Sequence, residues 1–168
     1  VSDFVSLVNQ FMEQLGIVHA PLVGHSMGGT VSLSVAIKYP ERVSKVVVVG
    51  SPIVGSSLAP LLKLSGYRPI AFMLFNMMGV FRAGMKIYSP YICRDPRFPD
   101  MMDRDLSRTT VESFLRSIAS LRRTDLIPVL PQIKVPVMGM YGDKDVIVHP
   151  SQWQPLQKGI PHAVIERF

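Results

Sequence analysis

Apolar positions along the first fifteen residues recur at the spacing of a helix that buries one face. They are Val1, Phe4, Val5, Val8, Phe11, Met12 and Leu15. This pattern predicts a first helix that ends at Gly16. The apolar run from Ile17 to Gly24 then predicts a strand. Residues 27–38 carry small and apolar side chains around the whole circumference, which is typical of a helix packed on a sheet.

Further strand patterns follow in the second and last parts of the chain. The run from Lys45 to Gly50 contains four consecutive valines, which predicts a parallel strand covered on both faces. Residues 137–141 repeat the strand pattern, residues 153–158 predict a short helix, and residues 162–168 begin another strand. In this α/β order the crossovers imply a mainly parallel sheet, and active sites in such sheets lie at the carboxyl ends of the strands.

The middle of the chain, residues 56–125, has a different character. It contains no second β-branched run, and six of the ten methionines fall between Met73 and Met102. Its clearest helix begins at a capping-box pattern that runs from Thr109 to Glu112. We therefore predict a core segment at residues 1–55, a helical insertion at 56–125 and a second core segment at 126–168.

The composition is that of a folded protein, because 48% of the 168 residues are hydrophobic and 18% are charged. The longest apolar stretch is shorter than the roughly 20 residues of a membrane span. The net charge is +6, and the excess lies in residues 56–125, where the basic residues are scattered among acidic ones. Such scattering argues against a nucleic-acid partner.

Cysteine and metal-binding patterns add little chemistry. Cys93 is the single cysteine, so no internal disulfide can form; the compartment stays open, with a cytoplasmic location favoured. No His, Cys and Asp cluster has metal-ligand spacing, and no glycine-rich phosphate loop occurs. We therefore expect no metal and no other cofactor.

A Gly-His-Ser-Met-Gly motif, residues 24–28, stands between the first predicted strand and the second helix. A direct turn from strand to helix forces its central residue into strained backbone angles, and both flanking positions need minimal side chains. Ser26 would expose its hydroxyl at the end of the strand, and the Met27 N–H would point at a developing oxyanion. The motif predicts an acyl-transfer site; a serine that caps the helix is the alternative.

Three stretches resemble the α/β-hydrolase superfamily, in its capped esterase-like branch. They are Leu22–Gly29, Tyr39–Val43 and Pro136–Asp145. The resemblance covers essentially the whole chain and implies a serine nucleophile at Ser26, a helical lid at 56–125 and an acid after the penultimate strand. The chain begins at Val1, and the first strands of the fold and its C-terminal end are missing from it, so we interpret it as an internal fragment.

Two carboxylates follow the third predicted strand, and either can serve as the acid that orients a catalytic histidine. In the resembling family the acid is the last residue of a G-x-x-D pattern, which here runs from Gly142 to Asp145. This implies Asp145 as the triad acid. Asp143 is then a solvated turn residue, although the alternative of two loop-capping carboxylates stays open.

None of the four histidines is a convincing base. His25 adjoins the nucleophile and would point away from it, whereas His19 and His162 lie at the opposite end of the sheet. His149 lies on the correct side and stays an open alternative. The resemblance implies a histidine beyond Phe168, so we predict that this chain alone is nearly inactive.

The segment from Ile70 to Phe81 is apolar nearly all round and suits a pocket for an acyl chain or an aromatic ring. The candidate substrate-binding residues are Phe72, Phe75, Met77 and Met78. The alternatives are that these side chains only pack the insertion onto the sheet, or that they contact a lipid surface with help from the local positive charge.

The function that these residues favour is a serine hydrolase that cleaves an ester or related acyl bond of a small apolar substrate through an acyl-enzyme. A hydrolase of carbon–carbon bonds and an acyltransferase use the same nucleophile and are alternatives. A protein that keeps the fold as a small-ligand receptor is the alternative from another class.

Overall fold

In the computed structural model, which describes residues 1–55, 58, 67–76, 83–84, 87 and 95–168, four strands form one parallel sheet. They lie side by side in chain order, as β1 (Ala20–His25), β2 (Val43–Val49), β3 (Val137–Tyr141) and β4 (Val164–Arg167). All three pairings are parallel. The predicted α/β class with a mainly parallel sheet is confirmed, and the carboxyl ends of the strands share one edge.

Three helices accompany this sheet: α1 (Ser2–Gln14), α2 (Met27–Lys38) and, near the end of the chain, α6 (Trp153–Gly159). Helix α2 is buried over most of its circumference, as its composition predicts. On β2, Val46 and Val48 are fully buried, whereas Val47 and Val49 are only partly covered. One face of the valine run is therefore completely covered and the other face only partly, whereas the sequence predicts a strand covered on both faces.

Two strands start later than their apolar runs predict, because the first residues of each run form the turn that follows the preceding helix. The N–H of Ile17 donates to Met12 O at 2.8 Å, which closes α1 through Gly16 at φ +66°. In the same way the N–H of Ala163 donates to Ile160 O at 2.9 Å after α6. Strand β1 therefore begins at Ala20 rather than Ile17, and β4 begins at Val164 rather than His162.

The chain forms two compact units, residues 1–60 with 120–168 and residues 61–119. The second unit contributes α3 (Arg68–Asn76), α4 (Phe98–Arg108) and most of α5 (Val111–Arg122). Among the described residues, no helix is long and apolar enough to cross a bilayer. Whether the second unit acts as a lid stays a prediction.

The predicted capping box at Thr109 is wrong by one residue. Thr110 Oγ1 accepts from the N–H of Ser113 at 3.1 Å and so caps α5. The hydroxyl of Thr109 instead donates to Asp105 O at 3.1 Å, at the end of α4. Of the two adjacent threonines, Thr109 therefore bonds to the end of α4 and Thr110 caps the start of α5.

Candidate active site

Ser26 lies in the turn between β1 and α2 and has a strained backbone. Its φ of 51° and ψ of −124° make it the one non-glycine residue with positive φ in the described part of the chain. Its N–H donates to Val49 O at 2.9 Å, which holds the turn against the end of β2. Such strain persists only where the surroundings over-determine it, and it is concentrated at functional sites.

The glycines of the turn permit a close approach of helix and strand. A methyl group built on Gly24 would overlap the backbone of Gly28 and Gly29, and one built on Gly29 would overlap the side chain of Ser51. At Gly28 the same methyl group would meet nothing within 4 Å. The sequence motif places the small residues at 24 and 28, whereas the packing requires them at 24 and 29.

The first turn of α2 begins immediately after Ser26. Gly29 and Thr30 donate their N–H groups to Ser26 O at 3.0 and 3.4 Å. As the first residue of α2, Met27 has an N–H without an acceptor inside the helix, at the positive end of the helix dipole. An N–H in this position can donate to an anion at the start of the helix.

Asp145 lies in the loop after β3, and two hydrogen bonds hold its carboxylate. Its Oδ1 atom accepts from the N–H groups of Ile147 and Val148 at 2.8 and 3.0 Å. Its Oδ2 atom lies beside Gly50, where an added Cβ would be 3.3 Å away. The carboxylate therefore has a defined orientation, with one oxygen turned toward the end of β2.

Ser26 and Asp145 meet adjacent residues at the carboxyl end of β2. Ser26 bonds to Val49, and Asp145 lies against Gly50, whose N–H donates to Met140 O at 2.9 Å. Gly50 has a φ of +50°, a conformation that favours glycine. The structure thus brings the predicted nucleophile and the predicted acid to one edge of the sheet, as the topology requires.

Asp143 has a different partner. Its Oδ1 atom accepts from Arg167 Nε at 2.9 Å and lies 2.8 Å from Arg167 Nη2. The guanidinium of Arg167 also stacks over the ring of Trp153, 5.3 Å from its centroid. The carboxylate of Asp143 therefore ties β4 to the loop, which leaves Asp145 as the carboxylate that faces β2.

In the described part of the chain, none of the four histidines forms a hydrogen bond with Ser26 or Asp145. The Nε2 atom of His162 pairs with Val135 O at 3.0 Å, ahead of β3, and His19 is exposed ahead of β1. His149 Nδ1 lies 2.8 Å from Ser151 Oγ and accepts from the N–H of Ser151 at 3.2 Å. His25, at the end of β1, is exposed.

The predicted substrate-binding residues are only partly within the described structure. Phe72 lies on α3 with 65% of its surface exposed. The side chain of Phe75, and residues Met77, Met78 and Cys93, lie outside the described residues. Within that same described part, no group of three or more His, Cys, Asp or Glu side chains could hold a metal ion.

The residues that the sequence predicts for the site do not include Gly50 or three buried polar side chains, Thr30, Tyr141 and Gln152. The one sequence signal for Gly50 is a glycine directly after a buried strand. Gln152 has no such signal, because its two hydrogen bonds reach residues almost 100 positions earlier in the chain.

Comparison with known proteins finds a family model, described as serine aminopeptidase, S33, that matches residues 1–167. A 2-hydroxy-6-oxononadienedioate/2-hydroxy-6-oxononatrienedioate hydrolase of Pseudomonas sp is 30% identical over 94% of this chain and 57% of its own length. The 3-oxoadipate enol-lactonase 2 of Acinetobacter baylyi is 26% identical over 92% of this chain and 57% of its own length.

Among solved structures, a hydrolase from Pseudomonas aeruginosa PA01 superposes with a TM-score of 0.79 at 22% identity, over 98% of this chain and 62% of that one. This likeness, together with the family match, confirms the fold that the sequence predicts. The chain spans a little over half the length of the curated relatives reported above.

Proposed function

This chain belongs to the family described as serine aminopeptidase, S33, and from that premise we propose that it carries the nucleophile and the acid of a serine hydrolase with an α/β-hydrolase fold. The observation that supports this most is that a strained Ser26 and an anchored Asp145 contact adjacent residues, Val49 and Gly50, at the end of β2. In the proposal Ser26 is the nucleophile, Asp145 the triad acid and Met27 the oxyanion donor.

The proposed reaction proceeds through an acyl-enzyme. Ser26 Oγ attacks the carbonyl carbon of the substrate while a histidine, expected beyond Phe168, takes the hydroxyl proton. The Met27 N–H donates to the oxyanion of the tetrahedral intermediate. The histidine then protonates the leaving group, and a water molecule, activated by the same histidine, releases the acid and regenerates Ser26. Asp145 orients the imidazole and stabilises its cation.

The proposed substrate is a small molecule with an ester or related acyl bond. The lactonase name of the Acinetobacter relative supports this bond type. We propose that residues 56–125 form a lid and that Phe72, Phe75, Met77 and Met78 line the substrate pocket, with a lipid surface as the alternative contact. A cytoplasmic location belongs to the same proposal and rests on the single cysteine.

A second candidate is the cleavage of a carbon–carbon bond. The Pseudomonas relative, 30% identical to this chain, carries the name of a dienedioate hydrolase. The same Ser26 and Asp145 would serve this reaction, and the leaving group would be protonated on carbon rather than on oxygen. Turnover of nitrophenyl esters and of 2-hydroxy-6-oxo-dienoates, compared by kcat/KM, separates the two candidates.

The first experiment sequences the reading frame for about 40 residues past the codon for Phe168 and then assays the gene product that contains this chain. We expect a histidine shortly after β4 and labelling of Ser26 by a fluorophosphonate probe. The Ser26→Ala variant should lose labelling and about 10⁴- to 10⁶-fold in kcat. Absence of labelling in the unmodified protein would contradict the proposal.

Two matched controls sharpen this test. Ser34→Ala removes a hydroxyl that donates to Thr30 O within α2, and it should leave kcat within a few-fold of the parent value. Asp145→Asn should lower kcat by about 10⁴-fold, as loss of the triad acid does elsewhere, whereas Asp143→Asn should not. Equal losses at 143 and 145 would overturn the assignment of the acid. The 168-residue chain by itself should hydrolyse nitrophenyl esters only marginally.

A further inference from the structure

Buried polar side chains converge on the loop that follows β2, residues 51–54, which we call the 51–54 loop. Gln152, only 7% exposed, lies just before α6. Its Oε1 atom accepts from the N–H groups of Ile53 and Val54 at 2.8 and 3.0 Å. A single side chain therefore satisfies two consecutive backbone donors of the loop.

Two further side chains hold the same loop from other elements. Thr30, fully buried on α2, donates its hydroxyl to Pro52 O at 2.8 Å. Tyr141, at the end of β3, donates its phenol to Ser51 O at 3.3 Å. Each bond satisfies a polar group that would be costly to bury alone. The loop is thus fixed at once from α2, from β3 and from the segment just before α6.

The 51–54 loop begins at the candidate active site. The side chain of Ser51 occupies the space beside Gly29 in the first turn of α2, and the preceding residue, Gly50, lies beside the carboxylate of Asp145. At its other end the loop continues into pairing with the returning chain, where the N–H of Leu126 donates to Ile53 O at 3.1 Å. A shift of this loop would therefore move the surroundings of both Ser26 and Asp145.

We propose that Gln152 is a positioning residue of the active site, an inference that rests on the proposed function. By accepting two N–H groups it sets the position of the 51–54 loop. Through Gly50 and Ser51 it thereby sets the separation of the turn that holds Ser26 and the loop that holds Asp145. Its loss leaves two donors without their acceptor, so the loop shifts. A misplacement of about 1 Å at a catalytic site can lower turnover by about 10²-fold.

The test uses three variants of the gene product that contains this chain. Gln152→Met keeps the length of the side chain and removes the acceptor oxygen, whereas Gln152→Glu keeps an acceptor at the same place. Gln154→Met, at an exposed position of α6, is the matched control. Steady-state kinetics with a nitrophenyl ester gives kcat and KM, and thermal unfolding shows that each variant is folded at the assay temperature.

We expect Gln152→Met to lower kcat about 10- to 100-fold with KM within about threefold, Gln152→Glu to recover most of that loss, and Gln154→Met to have no effect. A folded Gln152→Met variant with the kcat of the parent would overturn the proposal. So would a Gln152→Glu variant as slow as Gln152→Met, because it would show that the acceptor oxygen is not the cause.

A parent protein that neither turns over ester nor reacts with the fluorophosphonate would defeat the proposed function, and with it the catalytic meaning of this position. The loop itself is then tested by amide hydrogen exchange. Faster exchange at Ile53 and Val54 in Gln152→Met, but not in Gln154→Met, would support the anchoring of the loop by Gln152. Unchanged exchange at both residues would refute it.

Discussion

Replacing Gly24 by alanine tests the close packing of the turn between β1 and α2, and the test does not depend on any activity. A methyl group at Gly24 would overlap the carbonyl of Gly28 and the amide of Gly29. These are backbone atoms, which cannot rotate away as the end of a flexible side chain can. The strand and the helix would have to separate by about 1 Å, in an interior that is packed as densely as an organic crystal.

The size of the effect follows from that overlap. Overpacking of a core costs about 1–3 kcal/mol, and the rigid neighbours here place Gly24→Ala at about 3 kcal/mol. In a chain of this length 1 kcal/mol corresponds to about 2–4 °C, so its Tm should fall by about 6–12 °C. Gly28 lies in the first turn of α2, and a methyl group added there would meet no atom of the surrounding structure within 4 Å. It should be neutral, or more stable by up to about 1 kcal/mol, because alanine favours a helix over glycine.

Thermal and urea unfolding followed by circular dichroism measure both variants in the 168-residue chain. The two glycines are four positions apart in one motif, so any general effect of adding a methyl group to this turn applies to both. We expect the free energy of unfolding to fall in Gly24→Ala and to stay the same or rise in Gly28→Ala, with a difference of at least about 2 kcal/mol between the two variants. If the two variants unfold within about 1 kcal/mol of each other, the close contact of Gly24 with α2 does not exist.

Two further predictions concern neighbouring residues. Burial raises the pKa of the Tyr141 phenol, so above the ordinary pKa of about 10 the unfolded chain loses this proton while the folded chain keeps it. The free energy of unfolding should therefore fall by up to about 1.4 kcal/mol per pH unit above pH 10. This contribution is absent in Tyr141→Phe. Urea titrations of both proteins at pH 8 to 11 measure the difference. Gly50→Ala should cost about 1–2 kcal/mol through its positive φ and also lower kcat, because the methyl group would lie 3.3 Å from Asp145 Oδ2. The control Gly16→Ala has the same strain at φ +66° with nothing within 4 Å, and equal kcat in the two variants would contradict this role of Gly50.

Local interactions explain what could be predicted from the sequence alone. The bounds of α2 and β3 follow the predicted residues, because composition and strand pattern act over a few neighbouring positions. The Gly-x-Ser-x-Gly motif likewise predicts a strained turn, since strand, serine and helix are contiguous, and Ser26 has the positive φ that such a turn needs. The one-residue error at Thr109 arises because adjacent threonines fit the same local pattern, and only the hydrogen bonds distinguish them.

Tertiary structure decides the features that depend on residues far apart in the chain. The G-x-x-D pattern implies Asp145 rather than Asp143 as the acid, but it does not give their contacts: Arg167 pairs with Asp143, whereas Gly50 lies beside Asp145. The need for glycine at 29 rather than 28 likewise depends on where Ser51 packs. Gln152 reaches Ile53 across 99 positions, and the order of the parallel strands brings these two residues together. A sequence pattern determines local conformation and the face that each element buries, whereas long-range hydrogen bonds depend on the sheet, which places the loops that follow its strands at one edge.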